Sequence, residues 1–196
     1  MARLEARALT TAHIGHVDLE LAPGECLGLA GPSGSGKSRL LRALADLEPW
    51  RGVLALDGRA ADSMPPTEWR RRVGLLPAEP VWWEPSVRAH FPATTRPPLA
   101  ELGLEPAMLE RAPTTCSTGE RQRLALARLL VRGPEVLLLD EPTASLDAAS
   151  ARRVRELVAA RRADGVAVIW VAHDEAELAR VASRRLTLGA GGSVWS

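Results

Sequence analysis

The stretch Gly31-Pro32-Ser33-Gly34-Ser35-Gly36-Lys37-Ser38 combines small residues, one ammonium and hydroxyls in a spacing that suits phosphate. Glycines let backbone N–H groups close around an anion, and a following helix adds the partial positive charge of its N-terminus. Lys37 can then reach the β- and γ-oxygens of a nucleotide, and the Ser38 hydroxyl can ligate Mg²⁺. Lys37 is the only lysine among 25 Lys and Arg residues. A compact ammonium on a flexible stem suits this reach better than a planar guanidinium. A second constellation, Asp140-Glu141, ends the apolar run Val136-Leu137-Leu138-Leu139. At the carboxyl end of a neighbouring strand, Asp140 can hold the metal through water while Glu141 polarises an attacking water, so Glu141 is the general-base candidate.

Between these motifs lies Cys116-Ser117-Thr118-Gly119-Glu120-Arg121-Gln122-Arg123, a hydroxyl and exposed N–H groups opening a helix, which form a second anion site. Ser117 followed three residues later by Glu120 also fits a capping box, and the two roles are compatible. Ser145-Leu146-Asp147 and His173 complete the set. Together these motifs resemble those of the nucleotide-binding subunits of ABC transporters. The 116–123 segment is similar to the family signature, with Cys116 in place of Leu and Thr118 in place of the first Gly. Ser145-Leu146-Asp147 resembles the D-loop and His173 the switch histidine.

The resemblance implies an ATPase that uses ATP and Mg²⁺. Gly31, Pro32, Ser33, Gly34, Ser35, Gly36, Lys37 and Ser38 would hold the phosphates, and Ser38 and Asp140 the metal. Glu141, Lys37 and His173 would be catalytic. Ser117, Gly119 and Asp147 would complete the site in a head-to-tail homodimer around two ATP molecules. It further implies a separate integral membrane permease as partner, no nucleic acid, and a peripheral position on the cytoplasmic face of the cell membrane.

The chain also departs from the family pattern. Ala78 stands in the slot of the usual glutamine after the strand at 73–76, with Glu79 beside it, and no aromatic residue precedes Trp50 to stack on adenine, leaving His13 as the nearest substitute. Trp82-Trp83 sits where the family receives the coupling helix of its permease, and at least one of these rings should be exposed. The combination of Leu76-Pro77-Ala78-Glu79 followed by Trp82-Trp83, the segment 117–123 and the segment 168–174 looks most like the ATPases of Fet-type exporters, linked to iron export. A nucleotide-gated binding module with weak or no hydrolysis is the alternative reading. No histidine or cysteine spacing here binds iron; His13 and His16 read as a structural loop pair.

The elements that must position these residues follow from periodicity. Alternation at 3–9 and 17–21 predicts half-buried strands, and Cys26 to Ala30 is a short strand feeding the glycine-rich loop. Leu40, Leu41, Leu44 and Leu47 predict a helix ended before Pro49. A strand pair is expected at 52–56 and 73–76, turned at Asp57-Gly58, and helices at 119–131, 148–162 and 175–182 flank strands at 136–139 and 166–171. The fold class is therefore α/β: a P-loop NTPase (RecA-like) core with a parallel sheet, a small N-terminal antiparallel β subdomain and a short α-helical subdomain. Residues 1–76 and 120–196 form the core and about 77–119, rich in Pro and Trp, the helical part of a single domain.

Composition excludes more than it assigns. At 196 residues the chain is too short for a large multidomain machine, and a net charge of +1 gives no field that selects nucleic acid or acidic lipid. Two cysteines, Cys26 and Cys116, make no disulfide framework, and the apolar run from Val166 to Ala172 is far shorter than the roughly 20 residues of a membrane span. The lone lysine yields a direct test. Lys37→Arg keeps the charge but should impair ATP binding or turnover, and an amine reagent whose inactivation is blocked by Mg·ATP should label Lys37.

Overall fold

The computed structural model of the chain describes residues 3–189 and 192–195. It begins with β1 (Leu4–Thr10), β2 (Val17–Leu21), β3 (Cys26–Ala30), α1 (Lys37–Leu44), β4 (Arg51–Leu56), β5 (Arg59–Ala60), α2 (Pro66–Arg72) and β6 (Val73–Leu76). After a long irregular segment come α3 (Thr118–Leu130), β7 (Val136–Asp140), α4 (Ala148–Ala163), β8 (Ala167–Val171), α5 (Glu175–Val181), β9 (Arg184–Gly189) and β10 (Gly192–Trp195). Two sheets result, an antiparallel one in the order β2-β1-β4-β5 and a larger one in the order β10-β9-β3-β8-β7-β6. In the larger sheet every pairing from β9 to β6 is parallel, and only β10 runs antiparallel to its neighbour.

The large sheet is buried on both faces, as its near-continuous apolar strands require. Side chains alternate between two cores: Val136, Leu138, Ala167, Ile169 and Val171 join the core that contains α1 and the antiparallel sheet. Leu137, Leu139, Val168 and Trp170 join the opposite core, with residues of α3, α4 and α5. This is the two-residue period of a strand written across two layers.

The sequence-based expectation for residues 52–56 and 73–76 is corrected. Asp57 and Gly58 both take positive φ (54° and 74°), and Leu56 pairs with Arg59, so a tight two-residue hairpin closes onto β5 within the antiparallel sheet. α2 then carries the chain across to the other sheet, where β6 pairs parallel with β7. The segment about 77–119 also differs in detail from the helices expected there. Before α3 it holds single 3₁₀ turns at Arg88–His90, Pro106–Glu110 and Pro113–Thr115, because recurrent proline removes the donors that a longer helix requires.

The helix behind the glycine-rich loop is shorter than its leucines suggest. α1 ends at Leu44, Asp46 adopts φ 55°, and Leu47 lies outside the helix. α2, which periodicity did not reveal, supplies partners for the freed carbonyls: Trp69 Nε1 donates to Leu44 O at 2.9 Å, and Arg70 Nη2 donates to Asp46 O at 2.7 Å. Trp69 is fully buried, so it both fills core volume and terminates the helix. Replacing Trp69 by Phe should cost about 1–3 kcal/mol by orphaning the Leu44 carbonyl, and Trp69→Ala about 3–5 kcal/mol through the added cavity. Denaturant unfolding followed by circular dichroism measures both.

Candidate functional site

The register of the parallel sheet lines up the chemistry. Leu29 of β3 pairs with Val171 of β8, and Val171 pairs with Asp140 of β7. The residues that follow these positions, the glycine-rich loop, Glu141 and the turn bearing His173, therefore leave the sheet at one edge, the carboxyl ends of parallel strands where α/β proteins place ligands. Asp140 does not lie on the strand adjacent to β3, as expected from sequence, because β8 is inserted between them. All three strands run the same way, so the edge is shared.

The loop is cramped where the backbone turns. Gly31 adopts φ +140°, and a Cβ there would sit 2.5 Å from Leu188 O. Gly36, at φ +97°, would place a Cβ 2.9 Å from Ile14 Cγ1. Only glycine tolerates both constraints. Lys37 is 6% exposed, and its Nζ donates to Gly31 O at 2.8 Å and to Pro32 O at 2.9 Å, which curls the ammonium over its own loop. Pro32, Ser33, Gly34 and Ser35 line a cleft of about 310 Å³ whose other wall includes the exposed His13 and Gly15 and the buried Ile14.

Asp140 is 5% exposed, and its Oδ1 has no hydrogen-bond partner in the protein. Burial pushes its carboxyl above the ordinary carboxylate range; the Ser38 hydroxyl opposes that shift, Glu141 adds to it, and Lys37 and His173 draw it back. An orphaned buried carboxylate oxygen beside a serine hydroxyl is a hard-oxygen donor set suited to Mg²⁺, which keeps several waters and takes few protein ligands. Among the described residues no cluster of three or more His, Cys, Asp or Glu could enclose a metal, so the remaining ligands would be phosphate and water. The residues present fit that group. The buried Ser35 hydroxyl is a second unpartnered oxygen in the loop.

Glu141 takes φ +49°, a left-handed conformation uncommon for a non-glycine residue, and its N–H donates to Val171 O at 3.1 Å. Backbone strain of this kind concentrates at working sites. Its Oε1 lies 2.7 Å from His173 Nε2. Lys37, Ser38, Asp140, Glu141 and His173 are thus assembled within one chain.

Ser117 and Gly119 belong to a different surface. Ser117 caps α3 with the expected reciprocal pair: its Oγ accepts from Glu120 N at 3.2 Å, and its N–H donates to Glu120 Oε2 at 2.7 Å. The Ser117 backbone N–H holds the Glu120 carboxyl below the usual range. A Cβ on Gly119 would approach Leu146 Cδ2 to 3.0 Å, so the signature packs against the 145–147 segment. Asp147 caps α4, accepting from Ala149 N and Ser150 N, and the Ser150 N–H leads the effects that hold its carboxyl low. Cys116, the departure from leucine, is 4% exposed and serves as a small core residue.

Ala78 brings no polar side chain to the edge, and Glu79 is exposed. Gln122 of α3, 3% exposed, donates to Pro77 O at 3.4 Å and ties this segment to the helix. Trp83 is 67% exposed while Trp82 is half-buried, as adjacent large rings require. The Arg128 guanidinium lies over both rings, at 4.5 and 5.0 Å. His90, unassigned from sequence, organises the turn: its Nε2 accepts from Trp83 N and Glu84 N, and Nδ1 meets Ser86 O. Thr143, Arg155 and Glu177 also escaped sequence reasoning, since no motif spacing links them.

The chain is similar to known proteins in sequence and in fold. The family model described as ABC transporter matches residues 14–144. Protein STAR1 from Oryza sativa subsp. japonica is 36% identical over 189 residues, covering 89% of this chain and 55% of that protein. The aliphatic sulfonates import ATP-binding protein SsuB 3 of Rhodococcus jostii is 44% identical over 184 residues, covering 90% of this chain and 65% of that protein. The chain thus spans little more than half to two thirds of these relatives' length. A solved structure described as the dimeric post-hydrolysis state of an ATP-binding cassette bound to ADP and Pi superposes with a TM-score of 0.85 at 22% identity, covering 98% of each chain. The family match over most of the chain and the identity to these relatives give the assignment: this chain belongs to the ABC transporter family.

Proposed function

We propose that the chain hydrolyses ATP as one of two head-to-tail cassettes and thereby drives a membrane permease supplied by a separate chain. The observation that carries this reading is the meeting of Lys37, Asp140, Glu141 and His173 at one sheet edge, with Asp140 Oδ1 buried and unpartnered. Residues 1–76 with 120–196 act as the nucleotide-holding core in this scheme, and about 77–119 as the part that meets the permease. Among the described residues no helix is long and apolar enough to cross a membrane. The cassette would lie on the cytoplasmic face.

Backbone N–H groups of 31–36 and the N-terminus of α1 cradle the phosphates. Lys37 exchanges its Gly31 and Pro32 carbonyl partners for phosphate oxygens, offsetting charge that grows in the transition state. Ser38 and Asp140 would hold Mg²⁺, which when bound neutralises phosphate charge. Glu141, aimed by its strained backbone, accepts the proton of the attacking water. His173, already within hydrogen-bond distance of Glu141, orients that carboxylate and faces the γ-phosphate. Ser117 and Gly119 of a second copy, with Asp147, close the site from the other side. The capping box leaves the signature rigid for this role.

The cleft of about 360 Å³ lined by Leu75, Pro77, Trp83, His90, Arg128 and Arg132 supports permease docking beside the 77–80 segment. Cargo and direction would belong to the permease. The narrower reading, Fet-type iron export, rests on the segments 76–79, 82–83, 117–123 and 168–174, whereas the Rhodococcus relative is described as an import protein. A nucleotide-gated module with little hydrolysis is the second reading, favoured by Ala78 and by the lack of an aromatic residue before Trp50.

Turnover separates the two. Glu141→Gln should lower ATP hydrolysis by roughly 100-fold or more while nucleotide binding persists and an ATP-bound dimer accumulates on size-exclusion chromatography. Wild-type protein that shows no hydrolysis even with its permease present would establish the gated module instead.

A further inference from the structure

Glu177 lies in the first turn of α5, is 7% exposed, and belongs to none of the motifs. A carboxylate so buried must be paired or neutralised. It is paired with Arg155 of α4, whose Nη1 reaches Oε1 at 3.3 Å and Oε2 at 3.0 Å, and Arg180 stands 3.8 Å away. A second hydrogen-bond donor comes from a separate element: Thr143 Oγ1 donates to Glu177 Oε1 at 3.0 Å.

The positions of these donors set the importance of the contact. Thr143 sits between Glu141 and Asp147 in a segment folded as overlapping turns, with Ala144 N donating to Glu141 O and Leu146 N to Thr143 O. Arg155 lies on the helix that Asp147 caps. Glu177 follows His173 on the helix that Asp174 caps. One buried carboxylate therefore fastens together the elements that carry Glu141, Asp147 and His173. The Glu141 loop has one main-chain tie to β8, from Glu141 N to Val171 O. The threonine bond is its side-chain tie to α5.

We infer that Glu177, acting through Thr143 and aimed by Arg155, is a positioning residue for the Glu141–His173 pair in ATP hydrolysis. This rests on Glu141 being the base. Misplacing a base by a fraction of an ångström lowers turnover without weakening phosphate binding, which uses the other side of the site. Removing the Glu177 carboxylate outright would strand the Arg155 charge and endanger folding. The sharper probe is Thr143→Val, which keeps shape and leaves the ion pair intact.

Steady-state ATP hydrolysis, nucleotide affinity and thermal melting are measured for Thr143→Val, Thr143→Ser, Glu177→Gln and Glu141→Gln, and for Thr143→Val combined with Glu141→Gln. Thr143→Val should lower kcat about tenfold or more with the KM for ATP changed less than about twofold. Thr143→Ser, which keeps the hydroxyl, should restore kcat to near the wild-type value, and Glu177→Gln should shift kcat in the same direction as Thr143→Val. In the Glu141→Gln background, Thr143→Val should add no further loss. If Thr143→Val turns over like wild type while Glu141→Gln is inactive, the positioning role is wrong and the base assignment stands. A lowered melting temperature with unchanged kcat per folded molecule would also overturn it, as would a fully active Glu141→Gln, which would overturn the base assignment as well.

Discussion

Parallel strand register is the constraint on which the site depends. Leu29, Val171 and Asp140 are hydrogen-bond neighbours across β3, β8 and β7, so three chain segments distant in sequence leave the sheet together. A slip of one residue in either pairing would turn Asp140 to the opposite face and move Glu141 away from His173. That register is held by burial on both faces: apolar side chains alternate into two cores, and no strand of this group has a solvated side onto which it could slide. The dense aliphatic core therefore sets where Asp140, Glu141 and His173 stand.

At this edge the site works by withholding partners from some groups and crowding others. Asp140 is buried with one oxygen unpaired, and in the proposed reaction the cost of that burial would become affinity for a divalent cation at the same place. Lys37 is held by two carbonyls of its own loop, which keeps the ammonium curled over the glycine-rich turn. Glu141 is held in a left-handed backbone conformation and against His173. The Glu177 cluster lies behind them, linking the two helices and the turn that frame the pair.

Much of this was legible in the sequence because local chemistry dictated it. The Lys37 loop, the Asp140-Glu141 strand end and the Ser117–Glu120 cap are contiguous, and each carries its own spacing. The antiparallel N-terminal strands followed from alternation. Long-range pairings were not legible. Asp57-Gly58 was a clear turn, but whether it closed onto residue 59 or residue 73 depended on a two-residue hairpin geometry and on α2, a short helix whose role is to cap α1. The place of β8 between β3 and β7 is likewise a matter of crossover. Glu177, Thr143 and Arg155 are unremarkable in sequence and meaningful only once three elements meet; His90 looked like a histidine without a metal partner and is the acceptor of two backbone N–H groups.

A crystal structure with Mg²⁺ and a non-hydrolysable ATP analogue tests the central claim, that strand register builds one ATP-hydrolysing edge, most directly. The account predicts that Lys37 Nζ leaves Gly31 O and Pro32 O for the β- and γ-phosphates. It also predicts that Ser38 and Asp140 Oδ1 engage the metal or its waters, and that Glu141 faces the γ-phosphate from beside His173. A nucleotide bound away from the 31–38 loop, or an Asp140 Oδ1 still without a partner beside a fully occupied site, would contradict it.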